Sequence, residues 1–206
     1  MTTEKYILPF RDILNGNIDP EQAEHIMKQL SLFSCQRSQH ITDFSREKMT
    51  AYEQASESRS YLFLKAKDDE LLGFFTLGLT SMEWGNIENS DGWRKGFTKK
   101  QRRALSHGLF KRSGFVGMFT IGELARKDGI GKEELPGALI LSAALHYIEE
   151  ARKFSGGRFV LVDSRRKLFE ALYQQAGFVE VDTRPSPNEG EIEEFVISIL
   201  PLDDPR

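Results

Sequence analysis

The sequence predicts an α/β (α+β) protein with a mixed central sheet flanked by helices. Three observations predict it. The apolar run FVGMFTIGELA (115–125), a glycine-containing loop, a long amphipathic stretch and the run FVLVD (159–163) make a strand–helix–strand unit, whose strands pair in parallel. Two aromatic-rich runs, YLFLKA (61–66) and LLGFFTLGL (71–79), flank Lys67-Asp68-Asp69-Glu70 in a hairpin pattern. Two further strand-like runs, FVEV (178–181) and FVISIL (195–200), lie near the C-terminus. At 206 residues the chain can bury one sizeable core and is read as a single domain over 1–206.

Taken in order, residues 1–18 are mixed and predict little structure. Asp19-Pro20 is a helix start, with Ala23, Ile26, Met27 and Leu30 on one face. Thr42 is the expected cap of a second helix, TDFSREKMTAYEQA, which the serines at 56–60 break. After the hairpin, residues 83–114 form a basic insert, with no acidic residue between Arg94 and Arg112. Trp84, Trp93 and Phe97 either stack on a flat ligand or anchor that insert to the core. The central strand follows, then RKDGIGKEELPG, then the long helix with Leu139, Leu141, Leu145 and Ile148. Arg165–Gln175 reads as a helix ended by Gly177, with 182–194 as a polar loop.

Composition narrows the chemistry. With 39% hydrophobic and 29% charged residues this is an ordinary globular chain, and a net charge of −3 gives no global attraction to nucleic acid or anionic membranes. Any basic surface is local. The lone cysteine, Cys35, excludes an internal disulfide and a Cys-cluster metal site, and its FSC setting predicts burial. His107 and His146 lack the partners of a metal site, so no metal is expected. Neither a phosphate-loop nor a dinucleotide signature is present, nor a Gly-x-Ser-x-Gly elbow. With no apolar run of membrane length and no charged-then-apolar leader, the expectation is a cytoplasmic protein without a membrane partner.

The loop at 126–137 carries the clearest chemistry. Between a strand and a helix start, backbone N–H groups without intrahelical partners attract anions. Gly129, Gly131 and Gly137 let backbone approach a phosphate, and Arg126, Lys127 and Lys132 add charge. Tyr173, four residues after Phe169 and four before Gly177, is either a packed helix aromatic or a functional hydroxyl.

The run IGELARKDGIGKEELPGALILSAALHYI, followed by RFVLVDSRRKLFEALYQQAGFVEV, resembles the cofactor-binding half of the GNAT superfamily of acyl-CoA-dependent N-acyltransferases. Upstream, FSCQRSQHITDFSREKMTAYEQASESRSYLFLKAKDDELLGFFTL is similar to the N-terminal half of a bacterial GNAT group whose members include toxins that acetylate aminoacyl-tRNA. The resemblance covers about three quarters of the chain, and its most specific element is the Tyr-x-x-x-Gly-Phe ending.

It implies a sheet splayed between its two parallel strands and acetyl-CoA as co-substrate for transfer to a primary amine. Leu124, Ala125 and Arg126 would lie on the strand pairing with the pantetheine arm. Lys127, Gly129, Gly131, Lys132, Gly137 and Ala138 would wrap the pyrophosphate. Tyr173 would be the general acid for the CoA thiolate, and Glu123 would receive the amine proton, directly or through water. A backbone N–H of Glu123–Arg126 would polarise the thioester oxygen. The family's Arg/Gln-x-x-Gly-x-Gly/Ala loop aligns with Lys132–Gly137, where the final glycine alone fits. Arg166 stands where many relatives have asparagine. A tRNA on the Arg94–Arg112 stretch and a homodimer are the candidate macromolecular partners. A GNAT fold that binds a CoA-like ligand or a protein partner without catalysis is the alternative.

Overall fold

The apolar runs of the sequence form seven strands. The computed structural model describes residues 4–107, 114–186 and 193–202. The strands are β1 (Lys5–Pro9), β2 (Ser58–Lys65), β3 (Leu71–Glu83), β4 (Phe115–Arg126), β5 (Phe159–Arg165), β6 (Val179–Pro185) and β7 (Glu194–Pro201). They are ordered β1-β2-β3-β4-β5-β7-β6 in one mixed sheet. The chain divides into two compact units, Met1–Gly78 with Ile121–Glu149, and Leu79–Thr120 with Glu150–Arg206.

In the first unit, β1, β2 and β3 are antiparallel neighbours, so the expected hairpin is present. Residues 4–18 are more ordered than their sequence suggested, supplying β1 and a helical turn at Phe10–Leu14. The stretch KYILP is too short to show a period. Its order comes from burial of Leu8, Phe10 and Ile13 among Ile26, Leu30, Phe33, Leu62 and Phe74. Pro9 ends the strand and sits at the helical turn's N-cap position. The helix Pro20–Ser31 starts as expected: Asp19 accepts the N–H groups of Glu21 and Gln22 at 2.9 and 3.2 Å, with proline in the first turn.

Thr42 does not cap a helix. Helical structure begins earlier, at Gln39–Asp43, and continues through a π-helical turn (Phe44–Lys48) into Met49–Gln54. The Thr42 hydroxyl is buried and accepts the Cys35 N–H at 2.9 Å. Cys35 is buried as expected, and that burial pushes its thiol pKa up.

In the second unit the basic insert contributes three short helices, Trp84–Asn89, Asp91–Gly96 and Lys99–Leu105. The Ser90 hydroxyl accepts the Trp93 N–H, and Thr98 and Gln101 form a reciprocal capping box. Trp84 and Trp93 pack edge to face, centroids 5.5 Å apart, in a core with Ile87, Leu105, Met118 and Phe159. Of the two readings of these tryptophans, anchoring is the one the structure takes. Lys111 and Arg112, part of the predicted basic stretch, lie outside the described residues.

β4 and β5 are parallel, as the strand–helix–strand pattern requires. Their ladder consists of two residue pairs, Phe119 with Val160 and Thr120 with Leu161, short for strands of 12 and 7 residues. β5 and β6 both pair antiparallel with β7. β6 extends to Pro185, beyond the expected FVEV strand, because β7 gives it pairing partners as far as Glu194. Among the described residues no helix is long and apolar enough to cross a membrane, and no cluster of three His, Cys, Asp or Glu side chains could hold a metal ion.

Candidate active site

The end of β4 is fastened by its neighbours in the first unit. The β2–β3 register slips between Phe63↔Gly73 and Leu64↔Leu71, leaving Leu72 as the extra residue of a bulge. The Leu72 carbonyl accepts the Lys127 N–H at 2.9 Å, so the bulge holds the point where β4 becomes loop. At Gly73 an added Cβ would lie 2.3 Å from the Ala125 carbonyl oxygen and 2.8 Å from Leu135 Cδ2, a closeness open only to glycine. Glu123 N–H donates to Thr76 Oγ1 at 2.8 Å. That N–H is therefore unavailable to a thioester oxygen, which narrows the expected polarising donors to Leu124–Arg126.

From Lys127 to Gly137 the chain folds back on itself. The Arg126 guanidinium donates to the Leu135 carbonyl at 3.0 Å, and Leu135 is fully buried. The Asp128 N–H donates to the Ser34 carbonyl, while its carboxylate accepts the Gln36 N–H. The Gly131 carbonyl accepts the N–H groups of Glu134 and Leu135, and the Pro136 carbonyl accepts those of Leu139 and Ile140. The helix Gly137–Ser155 starts there. The N–H groups of Gly129, Gly131, Lys132, Glu133, Gly137 and Ala138 are left without a protein acceptor among the described residues. A row of unpaired N–H groups ending at a 19-residue helix suits a polyanion. Gly129, at φ +84°, adopts the left-handed conformation that the turn needs.

The two loop glutamates behave differently. Glu134 is drawn off by Lys65, whose ammonium holds Oε1 at 2.8 Å and also pairs with Glu70. Glu133 folds over Gly131, where an added Cβ would overlap its carboxylate at 1.8 Å. Gly137 is the first residue of the helix. The run Arg126-Lys127-Asp128-Gly129-Ile130-Gly131 has the complete Arg-x-x-Gly-x-Gly spacing, six positions before that helix start. It fits the family's loop at every fixed position, where Lys132–Gly137 fits at the final glycine alone.

Glu123 has a partner that the sequence did not suggest. His40, on the helical turn Gln39–Asp43, places Nε2 2.8 Å from Glu123 Oε1. The Glu123 side chain is 16% exposed and that of His40 55%. This hydrogen bond is the main reason the His40 pKa lies above the ordinary histidine value. The turn carrying His40 is held by the buried Thr42 and by Phe44, which stacks on Phe74. The two residues are 83 positions apart, so no local pattern could have revealed the pair.

Tyr173 lies in the second unit and is 2% exposed. It closes a π-helical turn, Phe169–Tyr173, in which the Gln174 N–H reaches the Phe169 carbonyl five residues back. Its ring meets Phe178 edge to face at 5.4 Å, and Gly177 ends the segment at φ +94°. Arg166 binds Glu180 and Glu194 together, tying the start of this segment to β6 and β7.

Several solved structures share this architecture. A tyrosine-to-phenylalanine mutant of KacT is similar over 96% of this chain and 95% of its own, with 16% identity and a TM-score of 0.65. AtaT complexed with acetyl-methionyl-tRNAfMet is similar over 93% of this chain and 94% of its own, with 16% identity and a TM-score of 0.60. For AtaTR bound with AcCoA the shares are 98% and 94%, the identity 15% and the TM-score 0.56. The chain has the GNAT fold. No family model and no curated protein matches the sequence. The fold is thus shared with these structures at 15–16% identity.

On this GNAT fold the insert presents mostly cationic side chains. An open cavity of about 610 Å³ over Trp84 and Trp93 is rimmed by Arg94, Lys99, Arg102 and Arg103, with Glu88 and Ser106. Not all of these cations are available to a ligand. Arg102 donates to the carbonyls of Arg94 and Phe97, and Lys95 pairs with Asp91. Lys99, Lys100 and Arg103 have no protein partner among the described residues.

Proposed function

We propose that this chain is an acetyl-CoA-dependent N-acetyltransferase whose acceptor is the α-amino group of an aminoacyl-tRNA. The observation that carries the first half is the loop 127–137, whose unpaired N–H groups and helix start offer the donors a pyrophosphate needs. Lys127 and Lys132 add positive charge to that donor set. The Leu124–Arg126 backbone would pair with the pantetheine arm and polarise the thioester oxygen, an oxyanion-type contribution. The acceptor amine would attack the thioester carbon, with Tyr173 giving a proton to the departing thiolate and Glu123 on the path of the amine proton.

Two features support the aminoacyl-tRNA half. One is Lys99, Lys100 and Arg103, cations without a protein partner among the described residues, since clustered Lys and Arg supply salt-dependent affinity for phosphates. The other is that AtaT, a neighbour in fold, has been captured with acetyl-methionyl-tRNAfMet. The test is transfer of label from acetyl-CoA to a pool of charged tRNA. Label that appears on charged tRNA and is absent with uncharged tRNA is the expected result; no transfer to any charged tRNA would remove this acceptor.

A second reading, a fold that holds a CoA-like ligand without turnover, draws on Glu133. Its carboxylate lies over Gly131, within the row of donors that an anion would use. Acetyl-CoA binding with no transfer to tRNA, protein or small amines would favour it.

A further inference from the structure

The pairing of His40 with Glu123 does more than fix a side chain. An ionised carboxylate has only lone pairs to offer, so the 2.8 Å contact assigns the proton of a neutral imidazole to Nε2. Nδ1 then carries a lone pair, and it has no hydrogen-bond partner among the described residues. The imidazole is more than half exposed, whereas the carboxylate beneath it is mostly covered. A base accessible to a substrate is thus backed by an acid group that orients it.

We propose that His40 is the base that removes the proton from the acceptor amine, with Glu123 as its positioning residue. The inference rests on the acetyltransferase reading and gives the amine proton to His40, with Glu123 acting behind it rather than as the base itself. As the amine nitrogen bonds to the thioester carbon, its proton passes to His40 Nδ1. The carbon–sulfur bond then breaks, and the sulfur leaves as a thiolate that is protonated to the free thiol. The imidazolium formed lies against Glu123, which stabilises its charge and later lets the proton return to solvent. The division of labour is that of a base oriented by a carboxylate behind it.

The charged groups facing His40 are few. Glu123 comes from β4, Asp43 from the same helical turn and Lys48 from the π-helical turn that follows. The two carboxylates favour the protonated ring, Lys48 opposes it, and the Glu123 hydrogen bond is the largest influence. Protonation at low pH would remove the base, so turnover should fall on the acid side.

The test compares the full-length wild type with His40→Gln and Glu123→Gln. Each is assayed for acetyl transfer to charged tRNA, and to glycinamide as a small primary amine, across about pH 5 to 8, where histidine titrates. Acetyl-CoA binding is measured calorimetrically on all three. His40→Gln should lower kcat by about 10²-fold and abolish the acid limb, with acetyl-CoA affinity unchanged. Glu123→Gln should keep the limb and move it to lower pH, because the ring loses its carboxylate. A His40→Gln protein with wild-type kcat and pH profile overturns the inference and leaves the acetyltransferase reading intact. A wild type that binds acetyl-CoA but acetylates neither amine overturns it too. A wild type that does not bind acetyl-CoA defeats both, and the calorimetry identifies that case.

Discussion

Gly73 offers the sharpest test of how the loop is held. In Gly73→Ala the new methyl would lie 2.3 Å from the Ala125 carbonyl oxygen and 2.8 Å from Leu135 Cδ2. The first contact is with backbone and cannot rotate away; the second is with the side chain that anchors the loop. β3 and β4 must therefore part, or Leu135 must leave its pocket. Overpacking of this kind costs about 1–3 kcal/mol. For a chain of this length each kcal/mol lowers Tm by about 2–4 °C, so the expected fall is about 2–12 °C. Gly117→Ala, on β4, is the control, because nothing lies within 4 Å of its added Cβ. Differential scanning calorimetry should place Gly117→Ala within about 1 °C of wild type. Because the shift is predicted at the strand and loop that present the proposed donors, acetyl-CoA affinity should also fall in Gly73→Ala. A Gly73→Ala protein with unchanged Tm and unchanged affinity would refute the reasoning.

Other expectations follow from the same geometry. Glu133→Ala removes the carboxylate over Gly131 and should tighten acetyl-CoA binding about two- to fivefold, the range of an exposed charge interaction; weaker binding would mean Glu133 helps the loop rather than obstructing it. Tyr173→Phe should fold normally and lose acetyl transfer, with acetyl-CoA affinity retained; unchanged turnover would remove Tyr173 from the chemistry. By NMR, His40 should titrate above about 6.5 in the wild type and move toward that value in Glu123→Gln. Since its folded pKa is raised, the pair's stabilisation is fully present below the unfolded value and lost as pH rises through the folded one. Arg103→Glu should reduce charged-tRNA affinity and flatten its dependence on salt, while Arg102→Ala should lower Tm instead, through loss of its bonds to the Arg94 and Phe97 carbonyls.

Much of the fold was legible because its signals are local. The runs at 61–66, 71–79, 115–125, 159–163 and 195–200 are apolar enough to declare strands, and all lie within strands of the sheet or overlap them. Gly177 ended its segment as glycine at a left-handed position does. What stayed hidden depends on distant partners. β1 is ordered by a core drawn from helices and strands far along the chain, and nothing in KYILP announces that. Thr42 has the residue type of a cap, yet its hydroxyl serves the Cys35 N–H seven residues earlier. The π-helical character of Phe169–Tyr173 leaves no mark in residue types. Within the candidate site, the glycines and basic residues of the loop were readable. His40 was not, because a histidine acquires meaning only from what the fold sets beside it. The obstruction by Glu133 was half visible: the charge was in the sequence, but its direction was in the structure.

The most direct test of the account is a calorimetric titration of acetyl-CoA into the full-length protein. Saturable binding that competes with free CoA is the predicted result. Absence of binding at millimolar acetyl-CoA would contradict the central claim that the loop 127–137 is a cofactor cradle.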